Sequence, residues 1–266
     1  MSSVPLPPAG SERRRASASH VAGEILLTLG VILLLFAFYE AFWTNLASAK
    51  LQDDAQESLE QQWVNPRVAT THDLGDAFAR MYIPAFGSDY QFAIIEGVDE
   101  EDLLAGPGRY PDTQMPGQPG NFAVAGHRVG KGAPFNDLGR LDACDAIVVE
   151  TQTSWVTYRV LPMAGDPAGR DAEAAQCLAG EVAHRVVDGD YSGVLGRHIT
   201  LPNDVSVLNP VPGAAAVEVA PGAEGIMTLT TCHPQFSNAQ RMIIHAVLTE
   251  TTDKAGGPPS AMKEAS

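Results

Sequence analysis

The sequence predicts an all-β domain, a small closed barrel of eight strands with short helices, carried behind one N-terminal transmembrane helix. Three observations predict it. From about Gly75 the chain breaks into eight short strand-like runs separated by Gly, Pro and Asp, with few strong helical patterns between them. Upstream, residues 21–43 are apolar and carry no charge except Glu24 and Glu40 near the ends. The 266 residues, 45% of them hydrophobic, suffice for one packed domain plus appendages.

In chain order, residues 1–20 are rich in Ser, Pro, Ala and Arg without an apolar period, which predicts a disordered cytoplasmic tail. The uncharged part of the next stretch, 25–39, would span only about 22 Å as a helix, short of the ~30 Å hydrocarbon core. With its flanks, 21–43 reaches about 34 Å. The two glutamates then lie near the headgroups, and Tyr39, Phe42 and Trp43 form an aromatic belt. Arg13, Arg14 and Arg15 keep the N-terminus in the cytoplasm, so the remainder is extracellular and the chain is a single-pass protein of the cell membrane. A cleaved signal peptide competes, because Ala47-Ser-Ala49 resembles a cleavage site; Glu40, Phe42 and Trp43 are poor neighbours for one. A buried soluble helix is the third reading, but the apolar residues run all round rather than along one stripe.

Residues 44–74 place Leu46, Leu51, Leu59 and Trp63 among Gln, Asp and Glu, which predicts a helical stalk acting as a spacer. The catalytic-domain candidate is 75–250. Its predicted strands are 77–83, 91–95, 120–125, 146–150, 155–161, 204–208, 225–231 and 242–248. Residues 164–198 are weakly patterned and read as an insertion with one helix near 171–184; the tail 251–266 reads as flexible.

Net charge is −15, and after Glu40 there are 14 Lys and Arg against 29 Asp and Glu. That balance disfavours nucleic acid as a partner and fits a water-facing domain. The three cysteines are Cys144, Cys177 and Cys232. An odd number outside the cell reads either as one pair plus a reactive thiol or as three unpaired thiols. No Cys and His spacing resembles a zinc site, and neither a metal nor a cofactor is expected.

Cys232 ends the run Ile226-Met-Thr-Leu-Thr-Thr-Cys232, and Arg241 opens the next, Arg241-Met-Ile-Ile-His-Ala-Val-Leu248. If these strands pair, Cys232 and Arg241 face each other across strands ~5 Å apart. A guanidinium there can hold a substrate carbonyl, stabilise oxyanion charge or favour the thiolate. Alternation puts Arg241, Ile243, His245 and Val247 on one face. His127 ends the run Asn121-Phe-Ala-Val-Ala-Gly-His127, with glycines on both sides allowing an open loop. His233, adjacent to Cys232, points to the other face and ranks below His127 as the base. His184 and His198 are expected to face solvent, and His245 to sit behind Arg241.

Thr228-Leu-Thr-Thr-Cys232 with Arg241 on the following strand, and Ala-Gly-His127-Arg128, resemble the sortase signature. Sortases are cysteine transpeptidases (thiol acyltransferases) of Gram-positive cell surfaces. Gly106-Pro-Gly-Arg-Tyr110-Pro, Pro116-Gly-Gln-Pro-Gly-Asn-Phe-Ala-Val-Ala-Gly-His127 and Gly132-Ala-Pro-Phe-Asn136 narrow the likeness to the class E sortases of actinobacteria. The resemblance covers most of residues 20–250. It implies an external eight-stranded sortase barrel with His127, Cys232 and Arg241 as the catalytic set. It also implies cleavage of a surface protein between Thr and Gly of a Leu-Ala-x-Thr-Gly or Leu-Pro-x-Thr-Gly signal. A thioacyl enzyme follows, and an amine from a peptidoglycan precursor or a pilin releases the product. Tyr110 and Thr231 are the candidate substrate-binding residues. The chain departs from the class E pattern at 164–198. That insertion holds Cys177, and Cys144 lies in the preceding turn, so the expectation is a Cys144–Cys177 disulfide pinning it.

A free thiol titrates near ~8.5 and imidazole near ~6.5, so the thiolate–imidazolium pair is a minority at neutral pH, which predicts a slow enzyme with a bell-shaped pH profile. Two other classes compete with this reading. A cysteine hydrolase of cell-wall peptides would release hydrolysis product even with amine in excess, although papain-like hydrolases place Cys before His. In a non-catalytic membrane-anchored binding module, the motif residues would be structural.

Overall fold

The computed structural model describes residues 18–64 and 72–264, which form two compact units divided after Trp43. Most of the predicted tail, the end of the predicted stalk segment and the last two residues lie outside the described residues.

The first unit is helix α1 (Ala18–Phe38), followed by a π-helical turn, Tyr39–Trp43. α1 is long and apolar enough to cross a membrane, with a mean hydropathy of 2.5, and none of its residues is buried by protein. Its 21 residues rise about 32 Å, close to the thickness of a hydrocarbon core. Residues 18–20, expected to be disordered, are helical instead. Nothing there breaks a helix, and His20 pairs with Glu24 one turn on, at 3.5 Å.

The second unit is the barrel with its attached helices. Its strands are β1 (Ala77–Tyr82), β2 (Gln91–Glu96), β3 (Gly108–Arg109), β4 (Gly120–Ala125), β5 (Ala146–Glu150), β6 (Ser154–Val160), β7 (Arg197–Thr200), β8 (Gly225–His233) and β9 (Gln240–Asp253). They run in the order β6-β5-β1-β2-β3-β4-β8-β9, and β6 pairs again with β9 to close an eight-stranded ring. β7 lies outside it, paired with the first half of β9. β2–β3 and β4–β8 are parallel; the other pairings are antiparallel. Alternation fills the interior: Phe122 and Val124 of β4, Met227 and Leu229 of β8, and Met242 and Ile244 of β9 belong to one buried cluster. Their neighbours Asn121, Ala123, Ala125, Thr228, Thr230 and Cys232 therefore take the opposite face.

Four sequence expectations need correction. Residues 204–208 form a 3₁₀ turn (Val205–Leu208), not a strand, because the Asp204 carboxylate accepts from the Ser206 amide and hydroxyl and starts a helical turn. The strand beside β9 is β7, at the end of the predicted insertion. The insertion holds two helices, α4 (Pro167–Ala174) and α5 (Gly180–Val187), rather than one. Gly180 at φ +59° and the tie from Cys177 to Cys144 interrupt them. The expected flexible tail is packed. β9 continues to Asp253, Ala261 is buried, and Arg159 makes a two-toothed ion pair with Glu264.

The predicted spacer is helix α2 (Thr44–Val64), and it lies on the barrel. Leu59 is fully buried against Ala77, Ala93 and Ile95. The Gln52 amide bridges the Ala93 amide and the Ala105 carbonyl of α3 (Glu100–Ala105). Glu60 pairs with Arg80 at 2.9 Å, and Trp63 packs against the Arg80 and Lys254 cations. A solvated stalk and a docked helix share the same sparse apolar pattern, which is why sequence alone did not separate them.

Candidate active site

The site is set by register. The last β4–β8 pair is Ala125 with Thr230, and the Gly126 amide donates to the Thr230 carbonyl at 3.1 Å. His127 follows two residues past that pair and Cys232 two residues past it on β8, and both line one cleft. On the other side of β8, Cys232 is paired with Arg241 of β9. His127, just beyond β4, Cys232, near the end of β8, and Arg241, at the start of β9, thus lie at one rim of the barrel.

His127 and Cys232 line an open cleft of about 560 Å³ with Arg128, Val129, Phe236, Ser237 and Asn238. Cys232 is the one free cysteine, half-buried; Cys144 and Cys177 are joined, their Cα atoms 5.7 Å apart. His127 is half-buried, and its Nε2 has no hydrogen-bond partner among the described residues. Burial lowers its basicity, the Lys131 ammonium lowers it further, and Glu100 opposes both. The Arg241 Nη1 donates to the carbonyls of Asn238 and Gln240 at 3.1 and 3.0 Å.

Arg241 borders a second, narrower cavity with Tyr110 and Thr230. That cavity shares Tyr110, Val205 and Leu208 with a groove of about 560 Å³ running past Thr113, Pro210 and Val217. Tyr110 is fixed in place. Its hydroxyl lies 3.0 Å from the Thr230 hydroxyl, and its amide donates to the Ala123 carbonyl. The preceding Arg109 makes a buried bidentate pair with Glu96 at 2.6 and 2.7 Å. Thr231, the other candidate substrate-binding residue, is 2% exposed. Its hydroxyl donates to the Gly126 carbonyl at 2.8 Å, so it cross-links the two strand ends; the threonine that meets Tyr110 is Thr230.

His233 turns from the cleft's base, with Nδ1 2.7 Å from Arg128 Nη1. His198, expected in solvent, is half-buried in β7 with its ring 5.4 Å from that of His245; His184 is exposed. His245 is buried, and desolvation pushes its pKa down to about 3. A buried polar chain supports it. The Thr228 hydroxyl donates to Asn121 Oδ1 at 2.8 Å, so it accepts from His245 Nδ1 at 2.9 Å. Asn121 Nδ2 holds the Val207 and Asn209 carbonyls. This chain crosses β4, β8 and β9 on the face that carries Cys232 and Arg241, four residues further along β8 and β9 from that pair. Its sequence signal was one polar residue, Asn121, Thr228 or His245, at an outward position of each of three largely apolar strands. Among the described residues, no group of three or more His, Cys, Asp or Glu is arranged to hold a metal.

A free thiol, an imidazole and a guanidinium at the rim of a closed barrel are the groups that thiol-dependent acyl transfer uses. A model of the sortase domain matches residues 81–249, and the chain belongs to the sortase family, whose members are cysteine transpeptidases. The SrtF sortase from Corynebacterium diphtheriae is similar in structure, with 61% identity and a TM-score of 0.73, covering 75% of this chain and 98% of that one. Sortase E from Streptomyces avermitilis aligns with 33% identity and a TM-score of 0.52, over 72% of this chain and 99% of that one. Sortase SrtE1 of Streptomyces coelicolor is 32% identical over 92% of this chain, and the alignment spans 61% of that protein's length.

Proposed function

We propose that the protein is a membrane-anchored class E-type sortase that transfers a surface protein from its sorting signal to an amine. The observation that carries this reading is the placement of His127, Cys232 and Arg241 at one rim of the barrel, with the free thiol bordering an open cleft. Cys232 attacks the threonine carbonyl of the signal, forming the thioacyl bond as the Thr–Gly bond breaks. His127 gives its proton to the departing glycine amine. An amine from a peptidoglycan precursor or a pilin then attacks the thioester, His127 takes its proton, and the thiol is released. Arg241 stabilises the oxyanion. The Tyr110 groove receives the Leu-Ala-x-Thr or Leu-Pro-x-Thr part of the signal. Burial of His127 makes its imidazolium scarcer at neutral pH, which supports a slow enzyme. α1 anchors the chain with the N-terminus inside and the barrel outside.

The test is joining of fluorogenic Leu-Ala-x-Thr-Gly and Leu-Pro-x-Thr-Gly peptides to triglycine, with Cys232→Ala and His127→Ala as controls. Cys-dependent joined product is expected, with the Leu-Ala peptide preferred. Hydrolysis alone in excess amine would favour a cell-wall hydrolase. No thioacyl adduct from folded protein would leave the non-catalytic binding module.

A further inference from the structure

Regular pairing between β4 and β8 stops at Ala125 and Thr230, two residues short of His127 and Cys232. Beyond that point His127 and Cys232 sit on chain ends that must be held against each other by other means. Two side chains do so. Thr231 ties β8 to the Gly126 carbonyl. Arg128, the residue after the imidazole, reaches back to the end of β8. Its Nη1 donates to the Cys232 carbonyl at 3.3 Å and to His233 Nδ1 at 2.7 Å. Arginine only donates, so His233 Nδ1 accepts and carries no proton there. The guanidinium is half-buried, and its Nε–H is buried without a partner among the described residues. A side chain free to seek its own solvation would not leave that donor unmade, so the grip on the Cys232 peptide fixes where the guanidinium sits.

We propose that Arg128 is a positioning residue of the transfer reaction, clamping the Cys232 peptide to the His127 loop, with His233 as the stop that aligns the guanidinium. The proposal rests on the roles given above to His127 and Cys232. Arg128 acts through the backbone of the nucleophile, whereas Arg241 is the cation assigned to the substrate. Two arginines thus flank Cys232 with different tasks. Loss of Arg128 leaves the Tyr110 groove intact and frees the angle between thiol and imidazole, so the loss falls on turnover and not on signal binding.

The experiment compares Arg128→Ala, Arg128→Lys, His233→Ala and the double variant Arg128→Ala/His233→Ala in the full chain, with sorting peptide and triglycine. Melting temperature and the stoichiometry of iodoacetamide labelling at Cys232 check that each is folded with its thiol open. Arg128→Ala is expected to lower kcat at least tenfold with KM for the peptide within twofold. Arg128→Lys recovers part of it, His233→Ala loses less, and the double variant is no worse than Arg128→Ala alone. Should Arg128→Ala not fold, Arg128→Lys with and without His233→Ala makes the same comparison. A kcat within twofold of the parent, a loss confined to KM, or additive losses at 128 and 233 would overturn the clamp. Activity surviving in Cys232→Ala would sink the underlying assignment of the nucleophile instead.

Discussion

Cutting the bridge between Cys144 and Cys177 measures how much the two-helix segment owes to its tether. The cysteines are 33 residues apart. Closing a loop of that size removes about 12–13 cal/mol/K from the unfolded chain, or about 3.7 kcal/mol at 25 °C. The native side of the balance changes little. Leu178, Val186, Tyr191 and Val194 pack on Leu161, Ile226 and Val247, and Arg170 holds the carbonyls of Val186, Tyr191 and Val194. The segment should therefore stay folded when reduced, and the loss should appear as a lower melting point. For a domain of this size about 2–4 °C accompany each kcal/mol, so the drop should be about 7–15 °C. The assay is thermal unfolding of Cys144→Ser/Cys177→Ser against the parent, with thiol titration of denatured, unreduced parent. One titratable thiol and a drop in that range are expected. Three thiols, or a shift below about 2 °C, would refute the reasoning.

Three further outcomes follow from the site and its supports. His245 has its pKa lowered in the fold, so the stability its neutral form contributes is complete above ~6.5 and is lost as pH falls towards about 3; the cost at pH 5 is about 2 kcal/mol. Denaturant titrations at pH 7 and 5 should show it, and His245→Gln, which keeps a donor to Thr228, should flatten the slope; an unchanged slope in that variant counts against the assignment. Leu59→Ala should cost about 2–5 kcal/mol in urea unfolding, because α2 buries that side chain completely; a loss under about 0.5 would mean that α2 is a spacer after all. Lys131→Met removes a cation that holds down the basicity of His127, so the acid limb of the kcat/KM profile should move to higher pH and the maximum should rise. A limb that stays put or moves down would disconnect Lys131 from the base.

The placement of His127, Cys232 and Arg241 at strand ends was legible because the alternation of the adjoining strands is clean: Phe122 and Val124 point in, as do Met227, Leu229, Met242 and Ile244. Periodicity of two ends a strand at His127 and makes Cys232 and Arg241 neighbours once their strands pair; it was the resemblance to the sortase signature that joined His127 to them. What escaped has local physical causes. β3 is two residues long, too short for any period to show. At 204–208 the apolar residues suggested a strand, while a carboxylate cap gave a helical turn. Thr231, a substrate-binding candidate by resemblance, has its hydroxyl engaged by the Gly126 carbonyl, a contact between distant strand ends. Arg128 carried no signal of its own beyond following the histidine; its partners lie more than a hundred positions away in the chain.

The parallel pairing of β4 and β8 has an evolutionary corollary. The two strands run the same way, so their reactive ends meet at one rim although 105 positions separate His127 from Cys232. Everything between is a detour that returns to the same starting line at Gly225, opposite Gly120. Length can be added or removed along that detour, as the two-helix segment exemplifies, without moving His127 relative to Cys232. The hairpin from β8 to β9 has no such latitude. A single residue gained on either strand near the turn would rotate Arg241 to the inner face and leave Cys232 opposite a core side chain. Natural variation and deliberate grafting should therefore concentrate in the first interval and spare the second.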